Sequence, residues 1–142
     1  MKFEKFLHRG QYHTKKGHKI RSKLLKWFCR IVYQCEIPFE ADIDESVYFC
    51  HNAFGVVINK NAIICQGVKI QHSVTIGVLK THEAPYIDEN VFIGAHAMIL
   101  GPVKIGKNSK IGAGSIVLTD VPPDSTVVGN PARVLDIGYS ID

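Results

Sequence analysis

The chain has 142 residues, of which 46% are hydrophobic, 21% charged and 9% aromatic, and its formal net charge is +4. That length suits one ordinary domain, and the composition excludes disorder or a collagen-like repeat as the main state. No uninterrupted apolar run approaches the ~18 residues of a membrane span and no secretory leader follows Met1, so the expectation is a cytoplasmic protein.

The first segment, residues 1–35, reads as a basic arm. It carries ten Lys and Arg against Glu4 alone, a charge of +9, while the remainder sets seven basic residues against twelve acidic, a charge of −5. An acidic body behind a basic arm, without an aromatic stacking motif, argues against nucleic acid as partner. Within the arm, Ile20, Leu24, Trp27, Phe28 and Ile31 fall on one stripe of a helix, with Lys19, Arg21, Lys23, Lys26 and Arg30 around it. Two uses follow: closing the end of the core that comes next, which is the preferred reading, or lying on an anionic membrane at its inner face. His8, His13 and His18 are expected to be solvated with the arm. The four cysteines, Cys29, Cys35, Cys50 and Cys65, have neither disulfide-framework nor zinc spacing, which predicts free buried thiols.

From residue 36 the chain repeats with a period of six. Aliphatic residues recur at Ile58, Ile64, Ile70 and Ile76, then at Ile87, Ile93, Ile99, Ile105, Ile111 and Val117, with weaker copies at Ile37, Ile43 and Phe49. Small or β-branched residues follow each by four positions, as at Ala62, Val68, Val74, Val91, Ala97, Val103, Ser109 and Ser115. A period of six fits short strands that turn a corner every six residues, three sides making one coil. Asn61, Gly67, Asn90, Asn108 and Gly114 stand at corners, where a left-handed backbone is tolerated by Gly and Asn. Two interruptions, Cys50–Val57 and Val78–Tyr86, must loop outward. The expected stacks are Ile37, Ile58, Ile76, Ile99 and Val117; Ile43, Ile64, Ile87 and Ile105; and Phe49, Ile70, Ile93 and Ile111. The fold class is an all-β parallel solenoid with a short N-terminal helical segment: an arm over 1–35, a solenoid over 36–134 and a tail over 135–142.

The runs Gly55-Val56-Val57-Ile58, Ser73-Val74-Thr75-Ile76-Gly77, Ile93-Gly94-Ala95, Ile99-Leu100-Gly101, Lys110-Ile111-Gly112-Ala113-Gly114-Ser115 and Val128-Gly129-Asn130-Pro131-Ala132-Arg133 resemble the hexapeptide-repeat acyltransferases. The similarity is to the serine acetyltransferase branch, including its short polysaccharide acetyltransferases of the colanic acid type. It implies a left-handed parallel β-helix, acetyl-CoA as co-substrate, transfer to a hydroxyl, a homotrimer, and no metal.

On that resemblance His51 stands at the position of the catalytic base and Glu36, fifteen residues earlier, at that of the acid that supports it, where serine acetyltransferases carry Asp. Histidine suits proton removal from a hydroxyl near neutral pH. Gly94, Ala95, Gly112 and Ala113 match the small residues lining the coenzyme A groove; Lys110 and Arg133 match basic positions there, and an amide at Gly77 or Val78 is a candidate oxyanion donor. The corners require the glycines in any case. His72 stacks one coil beyond His51; with His82 and Asn52 it is a candidate for holding the acceptor, whereas His96 reads as an outward corner residue. A Cys50–His51 nucleophile is disfavoured because direct attack needs no covalent step.

The acceptor is narrowed by departures from the family. Cys50 and Ala84 stand where serine acetyltransferases have an Asp and a His that bind serine, and the helical domain preceding the β-helix in those enzymes is replaced by the arm. A sugar or glycan-precursor hydroxyl is therefore the expected acceptor, with serine O-acetylation the alternative. A γ-carbonic-anhydrase-like zinc enzyme and a non-catalytic scaffold are further alternatives.

Overall fold

The computed structural model of the chain describes residues 2–135, so the expected tail lies, beyond Leu135, outside the described residues. Two helices come first, α1 (Phe3–Lys15) and α2 (Lys19–Phe28), followed by a π-helical turn at Cys29–Tyr33. Four coils of three short strands each then follow. The first holds β1 (Asp42–Ile43), β2 (Tyr48–Phe49) and β3 (Val57–Ile58). The second holds β4 (Ile63–Ile64), β5 (Lys69–Ile70) and β6 (Thr75–Gly77). The third holds β7 (Tyr86–Ile87), β8 (Phe92–Ile93) and β9 (Met98–Leu100), and the fourth β10 (Lys104–Ile105), β11 (Lys110–Ile111) and β12 (Ile116–Val117). A final antiparallel pair, β13 (Thr126–Gly129) and β14 (Ala132–Val134), extends the side formed by β11.

Corresponding strands of successive coils pair in parallel, giving three sides: β1-β4-β7-β10, β2-β5-β8-β11 and β3-β6-β9-β12. The registers join Ile43 to Ile64 to Ile87 to Ile105, Phe49 to Ile70 to Ile93 to Ile111, and Ile58 to Ile76 to Ile99 to Val117. Ile37 joins the last stack next to the Glu36–Val57 bridge. These are the stacks the period of six predicts, with both interruptions looped outward between paired strands. Every stack residue is buried, none more than 5% exposed. Burial of each aliphatic side chain contributes about 1.5–3 kcal/mol relative to exposure, so the ladder is the main source of stability of coils that touch only their neighbours.

The corners follow the expected chemistry at four of five positions. Gly67, Asn90, Asn108 and Gly114 have φ of 71°, 56°, 59° and 68°. Asn61 does not adopt a positive φ: its N–H donates to Asn59 Oδ1 at 3.0 Å and its side-chain amide donates to the His82 carbonyl at 3.1 Å, tethering the second loop. Ser73 and His96 occupy left-handed corners instead.

The N-terminal end of the solenoid is closed by α1, and this corrects the reading of the arm. Phe3, Phe6 and Leu7 are buried, and the Phe3 ring meets Phe49 edge to face at 5.2 Å. Gly10 lets the helix approach Phe39, whose ring a Cβ at that position would overlap. Glu4 accepts the Phe49 N–H at 3.2 Å. His8, expected to be solvated, is half-buried, with Nδ1 3.0 Å from Gln11 Oε1. Of the stripe expected to plug the core, Phe28 stacks on the buried Phe6 at 5.1 Å, whereas Ile20, Leu24, Trp27 and Ile31 are exposed. Of the thiols, Cys29 and Cys35 are buried, whereas Cys50 and Cys65 are only partly so. No helix among the described residues is long and apolar enough to cross a membrane.

Candidate functional site

The first outward loop sets His51 in an unusual backbone. His51, Asn52 and Ala53 all have positive φ, at 52°, 54° and 61°. Left-handed conformations of L-residues with a Cβ cost roughly 1–2 kcal/mol each, so three in succession must be held by their surroundings. Ala53 is fully buried, Phe54 N–H donates to the His51 carbonyl at 3.2 Å, Gly55 N–H donates to Gln34 at 3.1 Å, and Ser73 N–H donates to Phe54 at 2.8 Å. The exposed His51 imidazole is thereby presented on a fixed support.

Strand register then places a set of the sequence-derived candidates along one edge. His51, His72, Ala95 and Ala113 each lie two residues past Phe49, Ile70, Ile93 and Ile111, which stack in register. With paired strands about 4.8 Å apart, these four positions run along a single corner of the solenoid. Gly94 and Gly112 sit one residue earlier on neighbouring coils. A Cβ at Gly94 would lie 2.6 Å from Ala113 N and one at Gly112 2.6 Å from Val128 Cγ1, so both glycines are required by coil packing whatever else they do. Lys110 is half-buried at the start of β11, and Arg133 is exposed on β14, its Nη1 donating to the Ala132 carbonyl at 2.9 Å.

Three histidines, not two, line the head of this edge. The His51 and His72 rings are 5.1 Å apart at 87°, and His72 and His96 are 5.2 Å apart at 84°. His72 Nδ1 is buried without a hydrogen-bond partner. His96 is exposed at its left-handed corner as expected, but sequence spacing missed its contact with His72, because it stands three rather than two residues past its stack isoleucine. Among the described residues, no three or more His, Cys, Asp or Glu side chains are placed to hold a metal ion.

Other candidates lie apart. Glu36 is exposed and no hydrogen bond joins it to His51; its Oε2 is 3.7 Å from Arg30 Nη2. It borders a cleft of about 320 Å³ between α2 and the first coil, lined by Lys26, Trp27, Arg30 and Pro38. Gly77, at the end of β6, and the exposed His82, in the second loop, stand at the next corner, one side of the triangle away from His51 within the same chain. Asn52 is exposed beside His51. Cys50 is half-buried, and burial pushes its thiol up from the usual cysteine range against the opposing charge of Lys69.

Residues 84–119 match the family model described as bacterial transferase hexapeptide (six repeats). Serine acetyltransferase of Salmonella typhimurium is 39% identical over 129 residues, which is 89% of this chain and 47% of that protein. The chain is also similar to the Brucella abortus serine acetyltransferase structure in complex with coenzyme A, with a TM-score of 0.86 and 34% identity over 92% of this chain and 53% of that one. The Neisseria gonorrhoeae serine acetyltransferase structure in complex with serine gives 0.84 and 36%, over 90% and 53%. Over most of its length the chain is similar to the hexapeptide-repeat transferases of the serine acetyltransferase family. It spans about half the length of the relatives it matches. The shared part comprises the two helices and the solenoid, so the fold is the hexapeptide-repeat β-solenoid that the resemblance implies.

Proposed function

We propose that this chain is an acetyl-CoA-dependent O-acetyltransferase with serine as its acceptor, His51 as general base and Glu36 as the residue that supports it. The observation that carries the reading is the corner edge on which His51, held by a strained loop, heads a line of small residues, His72 excepted, along neighbouring coils. A long, thin acyl donor lying on that edge brings its thioester to His51 and its phosphates toward Lys110 and Arg133. Relatives in complex with coenzyme A and with serine support both substrates.

The chemistry needs no further group. The neutral imidazole of His51 takes the proton of the acceptor hydroxyl as its oxygen attacks the thioester carbonyl; collapse of the tetrahedral adduct breaks the C–S bond, and the imidazolium returns its proton to the departing thiolate. The products are an O-acetyl ester and free coenzyme A. Glu36, by turning from Arg30 to His51, favours the imidazolium that forms in this step. A solenoid side is too flat to enclose the donor, so the opposite wall of the site comes from an adjacent copy in a homotrimer, which also brings Gly77 and His82 within reach of a neighbour's His51.

Serine here displaces the sugar reading to second place, because the relatives with which the chain shares this half are serine acetyltransferases. The sugar or glycan hydroxyl keeps one specific support: Cys50, a neutral and half-buried thiol, and Ala84, packed against the core, offer no charge to a zwitterion. Acetyl-CoA turnover with serine and with a panel of hexoses and amino sugars decides between them. A kcat/KM for serine above that of every sugar supports the main reading, and the reverse order supports the second.

A further inference from the structure

The second helix is turned inside out relative to an ordinary surface helix, which buries its apolar stripe. Here the side facing the protein carries the buried Ser22 and Cys29 and the half-buried Leu25, while Ile20, Leu24, Trp27 and Ile31 are 79%, 62%, 66% and 53% exposed, Trp27 also standing at the rim of the cleft beside Glu36. At about 100° per residue Ile20, Leu24 and Trp27 fall within an arc of about 60° of α2, opposite Ser22, while Ile31 and Cys29 belong to the π-helical turn that follows. Lys19, Lys23 and Arg30 flank the stripe on one side and Arg21 on the other. No Asp or Glu occurs from Lys5 through Cys35, and among the described residues Lys19, Arg21 and Lys23 form no ion pair. The end of the solenoid is already closed by Phe3, Phe6 and Leu7 of α1, and of the stripe read from the sequence only Phe28 joins it, stacked on Phe6 at 5.1 Å, which leaves Ile20, Leu24, Trp27 and Ile31 uncovered.

We propose that this outward face of α2 and of the π-helical turn that follows docks on an anionic lipid bilayer, lying flat in the interface with the four apolar side chains inserted and the basic flanks on the headgroups. A helix of ten residues is about 15 Å long and does not span the ~30 Å hydrocarbon core, but an apolar stripe between cationic flanks is the pattern of interfacial binding. Charge complementarity selects this occupant over a second copy of the same face, because packing two such helices together opposes their unpaired lysines. The inference is independent of the acetyl-transfer reading.

Trp27 is the sole tryptophan of the chain, so its own emission reports the docking. The test uses the full chain with vesicles of phosphatidylcholine alone and with about a quarter phosphatidylglycerol, at low and high salt. The expected result is a blue-shifted Trp27 emission and cosedimentation with the anionic vesicles at least ~10-fold above the neutral ones, reduced by salt, and lowered at least ~10-fold by Leu24→Glu with Ile31→Glu. Ile20→Ser, at the most exposed of the four positions, gives a smaller loss and guards against misfolding of the double variant. Absence of anionic-vesicle binding, or binding insensitive to all these substitutions, overturns the proposal. So does a Trp27 emission already blue-shifted without lipid in a particle that Leu24→Glu dissociates, which assigns the face to a second copy.

Discussion

The His51 and His72 rings meet edge to face with centroids 5.1 Å apart, one coil above the other at the same corner. The contact follows from the pairing of Phe49 with Ile70, which sets the residues two positions further on side by side despite the longer loop that carries His51. His72 therefore backs the ring proposed as the general base. His51→Ala is expected to lower turnover by ~10² or more while acetyl-CoA binding and folding stay intact, the scale of a lost general base. His72→Ala is expected to cost less, through kcat rather than the KM for acetyl-CoA. Steady-state kinetics on both variants, with binding followed by calorimetry, check this; wild-type turnover in His51→Ala removes the base assignment.

Glu36 and Arg30 face each other across 3.7 Å, both largely exposed. Glu36→Gln is expected to reduce kcat less than His51→Ala, because an amide keeps part of the orienting role and loses the charge. Arg30→Met, which frees the carboxylate, is expected to leave kcat unchanged or raise it. A fully active Glu36→Gln leaves His51 acting alone.

The acceptor site is testable by restoring charge. A charged hydrogen bond is worth about 1.5–3 kcal/mol, or roughly 10- to 10²-fold, so Cys50→Asp is expected to raise kcat/KM for serine on that scale by supplying a partner for its amino group. No gain for serine, together with efficient transfer to a sugar in the unaltered chain, favours the glycan reading.

The ladder predicts a contrast between adjacent residues. Ile64 is 1% exposed and Ile63 40%. Ile64→Ala is expected to cost ~2–5 kcal/mol in urea unfolding and Ile63→Ala under ~1 kcal/mol. Gly94→Ala is expected to cost ~1–3 kcal/mol, since its Cβ would press on the backbone of Ala113. Equal costs at Ile63 and Ile64 contradict the inward–outward alternation.

Glu40 ties the first coil to Lys26 of α2. Partial burial pushes its carboxyl up, but the Lys26 hydrogen bond and charge, with Lys60, outweigh this and hold it below the ordinary carboxylate range. Its stabilising contribution is thus in place above the ordinary carboxylate pKa and is lost as pH falls through the lowered folded-state value. In urea titrations Glu40→Gln is expected to cost under ~1 kcal/mol at neutral pH, as for a solvent-screened pair, and nothing at about pH 2. A cost that persists in acid assigns the effect to packing.

The solenoid was legible because a period of six, unlike a helical pattern, specifies both the stack and its register: Ile64 and Ile87 pair although the second loop separates them by more than one regular coil. The edge with His51, His72, Ala95 and Ala113 follows from that register. The plug at the N-terminal end was not legible, because Phe3, Phe6 and Leu7 are interspersed with charged residues and the aromatic rings that α1 meets, Phe39 and Phe49, lie far along the chain at the first coil. Nor does the stripe on α2 carry in its sequence any statement of which way it faces; Ser22 inside and Trp27 outside reverse the usual burial rule. The His72–His96 contact escaped notice because it runs diagonally between two corner positions. The turn of Glu36 toward Arg30 is a side-chain orientation that spacing alone does not determine.

The most direct measurement is free-thiol release on mixing the purified chain with acetyl-CoA and serine, with the acetylated product identified by mass spectrometry. The expected result is saturable, serine-dependent release of coenzyme A matched one to one by O-acetylserine and lowered ~10²-fold or more in His51→Ala. Folded protein that binds acetyl-CoA yet releases no thiol with serine or any sugar acceptor would contradict the account.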